Sequence, residues 1–200
     1  MEILKQSRSP SDLPLPVLAS TGVHAWAKIA VLLALMAAPL QAADGTAIGE
    51  YQLKAVFLFN FAKFVEWPPE VFGDARAPFT ICVAGDNPFG SSLEGAVIGK
   101  TVANRPISIR LVSSVQQSRT CQILFIAASE RSRMGGLLKA LKNCSVLTVG
   151  DTDDFTANGG IVQFKVIDAR VRIEIDAEAA GRASLRISSK LLSLAEPPKH

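Results

Sequence analysis

Histidine is almost absent from this sequence. The chain of 200 residues contains only His24 and His200. Ser-His-Asp triads, Cys-His pairs and His-rich zinc sites all require an imidazole inside the folded domain. His24 falls in a predicted leader and His200 is the last residue, so these sites are excluded as internal arrangements. Enzymes that need no histidine remain open, and the sequence predicts neither a metal nor another cofactor.

A hydrophobic run long enough to cross a membrane is also missing. The stretch "KIAVLLALMAAPLQAAD", Lys28 to Asp44, has a basic residue, an apolar run and a small-residue exit, which is typical of a secretory signal. A membrane-spanning helix needs about 20 apolar residues. We therefore expect residues 1–42 to be a signal peptide cleaved near Ala42, and residues 43–200 to form one domain in the periplasm.

Neither charge sign dominates the predicted domain. Without the leader, 18 basic residues stand against 16 acidic ones. No basic stripe with interleaved aromatic residues is present, which excludes the electrostatic footprint of a nucleic-acid-binding protein. A domain of this length and apolar content is expected to bury a single core.

The hydrophobic pattern predicts alternating helices and strands. A helix starts near Ala47 and ends at Trp67, which precedes two prolines. A buried strand is predicted at Phe79–Gly85, an alternating one at Pro106–Val112, an apolar one at Cys121–Ala127 and a fourth at Cys144–Asp151, with helices between them that begin at Asn87 and Ser129. A hairpin of residues 161–166 and 170–175 follows, then a helix over Ala177–Ala195. This order predicts an α/β fold: a single three-layer α/β/α sandwich with a mixed, mostly parallel sheet and a C-terminal β-hairpin.

The first helix is apolar on nearly every side. Helical spacing predicts one apolar face made of Leu53, Val56, Phe57, Asn60, Phe61 and Phe64. Leu58 and Phe59 fall outside that face, on opposite flanks. Either the helix is covered on a second side, or it offers a binding surface for a partner. In the second case Leu58 and Phe59 are the contact residues, and Lys63 and Glu66 frame them with charge.

Two loops after predicted strands are weak candidates for ligand binding. The turn with Gly85, Asp86 and Asn87 joins a strand to a helix, where backbone N–H groups can hold an anion. It lacks the P-loop and dinucleotide-binding spacings, which favours an ordinary turn. The loop with Asp151 and Asp153 has no calcium-binding spacing and is also typical of a solvated surface loop. Its place after a strand end is where open α/β sheets bind ligands.

The sequence contains three cysteines, Cys82, Cys121 and Cys144. In an exported protein an oxidised pair is expected, with one thiol left over. Cys82 lies within the first predicted strand and Cys121 begins the third, and these strands are neighbours if the strand order reverses near its start. Cys82–Cys121 is therefore the preferred pair. The alternative is that all three are small buried hydrophobic residues.

Several segments together resemble the YfiR-like family of periplasmic proteins, over about Ile48 to Ala195. The segments, in chain order, are "YQLKAVFLFNFAKFVEWP", "FTICVAGDNPFG", "CQILFIA", "VLTVGD", "GGIVQF" and "RVRIEIDAEAAGRASLRISSKLLSLA". The Trp-Pro end of the first helix and the closing block Ile187–Leu192 carry the most specific part of this resemblance.

The resemblance implies a regulator rather than an enzyme. It implies a repressor that binds the periplasmic domain of an inner-membrane signalling protein, a diguanylate cyclase or a kinase, and lowers cytoplasmic cyclic di-GMP. It also implies an outer-membrane lipoprotein as a second partner, a homodimer and redox sensitivity through cysteines. Cys82 and Cys121 match cysteine-bearing strands of the family, whereas Cys144 has no partner for a second bridge. The rival hypothesis is a periplasmic small-molecule sensor or enzyme that uses the two strand-end loops.

Overall fold

The computed structural model describes residues 43–74 and 76–198, and the predicted leader lies outside them. The helices are α1 (Ala43–Phe64), α2 (Ser92–Val97), α3 (Val115–Ser118), α4 (Arg131–Leu141), α5 (Ala177–Arg182) and α6 (Ser189–Leu192). The strands are β1 (Val65–Glu66), β2 (Phe79–Ala84), β3 (Thr101–Val102), β4 (Arg105–Val112), β5 (Ile123–Ile126), β6 (Leu147–Gly150), β7 (Val162–Ile167), β8 (Arg170–Ile175) and β9 (Arg186–Ile187). Short 3₁₀ turns cover Pro69–Phe72 and Ala128–Glu130.

Seven of these strands form one mixed sheet in the order β3-β4-β2-β5-β6-β7-β8. The five strands from β4 to β7 pair in parallel, whereas β3 and β8 pair antiparallel at the two edges. The first parallel strand, β2, lies between the second and the third, so the strand order reverses beside it. The predicted mixed, mostly parallel sheet with a C-terminal hairpin is confirmed.

Helices cover both faces of this sheet. Ile81 and Val83 of β2 point into a core shared with α1, α2 and α5, while Cys82 and Ala84 point into a second core under α4. Strands buried on both faces read as continuous apolar runs, which is why β2 was recognisable in the sequence. The three-layer arrangement is therefore also confirmed.

Three predicted helix ends differ from the structure. The helix after β2 begins at Ser92 rather than near Asn87, because the Asn87 side chain accepts the N–H of Phe89 in a local turn. Ser129 does not cap α4, since its hydroxyl accepts the N–H of Asp86 from the neighbouring loop. The predicted final helix is interrupted after α5 by β9, which pairs antiparallel with β1.

Candidate functional site

The buried side of α1 is rotated from the one that the sequence predicts. Ala55, Leu58, Phe61 and Ala62 are buried against the sheet, and the Phe61 ring stacks on Phe164 of β7 with centroids 5.9 Å apart. The prediction that Leu58 belongs to a partner surface is wrong, because its side chain has no exposed area. A helix apolar all round contains no directional signal that could have distinguished its faces.

The exposed side of α1 still carries large apolar side chains. Leu53 is 44% exposed and Val56 is 46% exposed, although both were predicted to face the core. Phe59 is half-buried and continues the same side of the helix. We call Leu53, Val56 and Phe59 the outer strip. Contiguous exposed apolar side chains of this kind mark interaction surfaces in soluble proteins.

Lysine side chains cover the aromatic end of the outer strip. The Lys100 ammonium lies 4.5 Å from the centroid of the Phe59 ring, and that of Lys63 lies 5.6 Å from it. Lys190 of α6 lies 5.5 Å from the centroid of the neighbouring Phe64 ring. Among the described residues none of these three lysines forms an ion pair, so their charge is available to an acidic partner.

Glu66 is already engaged in a surface ion pair. Its Oε2 accepts hydrogen bonds from Nη2 of Arg186 at 2.7 Å and from Nε at 3.0 Å, across the β1–β9 pair. Both side chains are mostly exposed, and such pairs contribute about 0–1 kcal/mol to stability. Glu66, which was predicted to contact a partner, therefore lies beside Lys63 at the same end of the helix. Arg186 partly neutralises the charge of Glu66.

A buried lysine attaches the N-terminal half of α1 to the sheet. The Lys54 ammonium donates to Oδ2 of Asp151 at 2.7 Å and lies 2.5 Å from Oε1 of Glu50. The Tyr51 hydroxyl donates to the same Asp151 oxygen at 2.8 Å. Burial raises the pKa of Tyr51 well above its ordinary value, and the Asp151 carboxylate raises it further. Hydropathy patterns assign lysine to the surface, so the burial of Lys54 against Asp151 was not predicted from the sequence.

The loop with Asp151 and Asp153 is more ordered than a solvated surface loop. Phe155 is fully buried, and a Cβ added at Gly150 or at Gly160 would come within 2.4 Å or 2.1 Å of its ring. Because neither glycine has a Cβ, the Phe155 ring can pack directly against the backbone at both positions. The loop folds over the end of β6 and holds Asp151 beneath α1.

The same loop forms one wall of a cleft. The cleft has a volume of about 500 Å³, and its lining includes Tyr51, Lys54, Asp151 and Asp153. Asp153 is exposed and lies 3.7 Å from Arg131, whereas Asp151 is the acceptor of the buried cluster. The structure thus brings two of the predicted ligand residues to one place.

The turn after β2 is closed by its own contacts. The Asp86 N–H donates to the Ser129 hydroxyl at 2.9 Å, and the Asn87 side chain accepts from Phe89. Gly85 has a φ of +87°, and a Cβ there would lie 2.4 Å from the Ser129 hydroxyl oxygen. The N–H groups of Asp86 and Phe89 are therefore used internally, and Gly85, Asp86 and Asn87 do not line the cleft.

The Cys82–Cys121 disulfide is present, and its Cα atoms are 6.0 Å apart. It joins β2 to the residues just before β5, inside the core under α4. The prediction of this pair is confirmed, and the alternative of three unbridged cysteines is wrong. Cys144 is free and half-buried, and its thiol lies 3.9 Å from the Ala140 carbonyl oxygen.

Neither a metal site nor a membrane-spanning helix occurs in the described part of the chain. Across residues 43–74 and 76–198 no group of three or more His, Cys, Asp or Glu side chains is placed to hold a metal ion. No helix in those ranges combines the length and the hydrophobicity needed to cross a bilayer.

Trp67, which belongs to one of the two more specific segments of the sequence resemblance, has a structural role. Its indole Nε1 donates to the Gln122 carbonyl at 3.1 Å, and its ring meets Phe79 edge-on with centroids 4.9 Å apart. It thereby fixes the end of α1 against the start of β2 and β5.

Residues 51–196 match the family described as YfiR/HmsC-like. The matched segment runs from Tyr51 at the buried cluster through β9 and α6. The chain belongs to this family. The resemblance seen in the sequence is thus confirmed, and the match includes the outer strip, the disulfide and all of the cleft lining except Glu50. The YfiR/HmsC-like family is regulatory rather than catalytic and acts in the periplasm on cyclic di-GMP signalling.

Comparisons with individual proteins add little to the family assignment. No curated protein matches the chain. Nine chains of solved structures match. One is a conserved domain protein from Vibrio cholerae O1 biovar El Tor, similar at 12% identity and a TM-score of 0.48. That similarity covers 60% of this chain and 55% of the Vibrio chain, so this chain spans about half of that protein's length.

Proposed function

We propose that this protein is a periplasmic repressor that binds the periplasmic domain of an inner-membrane diguanylate cyclase through the outer strip of α1. Family membership supports the signalling role, and one observation supports the surface. That observation is the apolar outer strip, in which Leu53 and Val56 are exposed and Phe59 is half-buried, with lysines at one end that form no ion pair among the described residues. Binding holds the cyclase in an inactive state only if the repressor prefers that state of its partner.

Side chains of the strip match the composition of protein interfaces. Aromatic residues are enriched at the centres of interfaces, and charged residues at their rims steer the encounter. Phe59 is the central candidate, since Val56 precedes it by one helical turn and Lys63 follows it by one. The partner face that fits this arrangement is apolar with acidic groups at one side. An outer-membrane lipoprotein that competes for the same face would relieve repression.

The test is cellular cyclic di-GMP in a strain that lacks the protein. Deletion is expected to raise the nucleotide, and complementation with the natural chain to restore it. Complementation with Val56→Asp or Phe59→Asp is expected to fail, because a carboxylate would be desolvated at the interface. Leu111→Asp is the matched control, since Leu111 is 65% exposed but lies on β4 rather than on α1.

Each variant must accumulate to the natural level for this comparison. Unchanged nucleotide levels on deletion would contradict control of a cyclase. Full repression by both α1 variants would leave the signalling role intact but would exclude the outer strip as the contact surface.

The cleft beside Asp151 supports a second candidate function, a small-molecule sensor. Its volume of about 500 Å³ falls within the range of about 300–1,000 Å³ of ligand sites. Asp153→Ala changes the cleft wall without disturbing the buried cluster, because Asp153 is exposed. If Asp153→Ala alters signalling while Phe59→Asp does not, the sensor function is favoured over the partner surface.

A further inference from the structure

A separate pocket opens where the two cores of the fold meet. It has a volume of about 310 Å³ and lies between α4, the β6–β7 connection and α5. One wall consists of Leu138, Leu141 and Val146 from the core under α4. The opposite wall includes Ile161 and Ala183 from the core under α1 and α5. The walls thus combine apolar side chains with the polar side chains of Thr148 and Asn158, and the pocket shares no lining residue with the outer strip or with the cleft beside Asp151.

The charged side chains that line this pocket are all basic. They are Lys139 and Lys142 near the end of α4 and Arg182 of α5, and no acidic residue lines the pocket. Within the described ranges, neither lysine forms an ion pair. Arg182 lies 3.7 Å from Asp176, and its contact with Glu178 is longer still. Contacts of that length at the surface neutralise little charge.

We propose that this pocket binds a small amphipathic carboxylate, with its apolar body between the two walls and its head group beside Lys139 and Lys142. The apolar side chains of the walls favour a hydrocarbon body, because burial of apolar surface contributes about 25 cal/mol per Å². The unpaired ammonium groups favour an anionic head, since hydrogen bonds with charged partners are the stronger ones. The pocket lies at the lower end of the size range of ligand sites, so a medium-chain fatty acid fits better than a large ligand.

A structural role of the two lysines must be separated from ligand binding. Basic side chains in the last turn of a helix are also stabilised by the helix dipole. Arginine preserves that effect and the positive charge, whereas glutamine removes both. The pair Lys139→Arg/Lys142→Arg is therefore the control for Lys139→Gln/Lys142→Gln. Both pairs change only exposed side chains, and their urea unfolding midpoints show whether the fold is retained.

The experiment titrates the exported protein, purified from the periplasm, with decanoate, and binding is measured by calorimetry and by changes in amide chemical shifts. Decanol tests the apolar body without the charge, and acetate tests the head group alone. Decanoate is expected to shift amides of residues 138–146, 157–161 and 179–183. The glutamine pair is expected to weaken decanoate binding about tenfold, which is the loss of one charge-assisted contact. The arginine pair should retain the affinity.

A third variant tests the pocket independently of charge. Ala157 is exposed and lines the opening, so Ala157→Leu is expected to fill the pocket and abolish the shifts while both lysines remain. The proposal is overturned if decanol binds as tightly as decanoate, if the glutamine pair binds normally, or if the shifted amides lie elsewhere. If acetate alone caused equal amide shifts, binding to surface lysines would explain them, and the proposal would also be overturned.

Discussion

Replacing Lys54 with methionine tests whether the buried cluster fixes α1 to the sheet. Methionine keeps most of the apolar stem but removes the ammonium that Asp151 and Glu50 share. The Lys54 side chain is 2% exposed and that of Asp151 is 9% exposed, so the remaining carboxylate would be largely desolvated. Among the side chains of residues 43–74 and 76–198, only the Tyr51 hydroxyl would still donate a hydrogen bond to the Asp151 carboxylate.

The expected cost follows from this geometry. Removing one partner of a buried ion pair costs about 3–5 kcal/mol, and the partial exposure of Glu50 places Lys54→Met near 3 kcal/mol. For a domain of this size each kcal/mol lowers Tm by about 2–4 °C, so a decrease of about 6–12 °C is expected. Circular dichroism during urea and thermal unfolding measures both quantities.

Two further variants make this prediction specific. Lys54→Met combined with Asp151→Asn removes the stranded charge, and it should recover a substantial part of the lost stability. Lys63→Met is the matched control, because Lys63 lies on the same helix but is exposed, and its effect should stay within about 0.5 kcal/mol. A Lys54→Met protein as stable as the control would refute the reasoning that the buried pair anchors α1.

Three other predictions concern the core, the loop and pH. Replacing both Cys82 and Cys121 with alanine opens a 39-residue loop and should cost about 4 kcal/mol in urea unfolding; a midpoint equal to that of the oxidised protein would contradict this. Gly160→Ala should destabilise by about 1–3 kcal/mol through overlap with the neighbouring phenylalanine ring, whereas Gly135→Ala in α4 meets nothing within 4 Å and should stabilise slightly. The raised pKa of Tyr51 means that its folded form prefers the neutral phenol, so its contribution to stability is complete below the unfolded pKa of about 10 and declines above it. The stability lost between pH 8 and pH 11, measured by urea unfolding, should be smaller for Tyr51→Phe than for the natural protein. Equal losses of stability would contradict the raised pKa of Tyr51.

The strands of the sheet could be predicted because the order of apolar and polar residues along each one indicates a strand without knowledge of its neighbours. β2 and β5 are buried on both faces and therefore appear as continuous apolar segments, and the sequence of the β7–β8 hairpin largely alternates apolar and polar residue types, although both strands are buried at one end and exposed at the other. The disulfide followed from the neighbouring positions of β2 and β5. In each case the residue types that indicate a strand in the local sequence are also the residue types that the overall fold needs at those positions.

The orientation of α1 could not be predicted, because two sides of that helix are equally apolar. Leu58 faces the core while Val56 faces outward, although both are large aliphatic residues. The buried side also holds Lys54, which donates to Asp151, almost a hundred residues further along the chain. A contact of that sequence separation leaves no trace in the local periodicity, and lysine is normally read as a surface residue.

The turn at Gly85 illustrates the opposite difficulty. The sequence pattern suggested free N–H groups for an anion, but the Ser129 hydroxyl from the next strand-end loop accepts one of them. Whether a strand-end turn is open or closed depends on the loop beside it in the sheet, and the chain order alone does not identify the contacting atom.

Pairing of β1 with β9 joins the segment that follows α1 to the segment that follows α5. Glu66 and Arg186 are 120 residues apart in sequence, and Lys190, which follows β9, lies over Phe64, which precedes β1. The aromatic end of the proposed partner surface therefore depends on a segment that lies far from α1 in the sequence. Contacts of such long range form late and slowly. A nascent or truncated chain would lack the complete surface, so partner binding through this surface would report that the whole domain has folded.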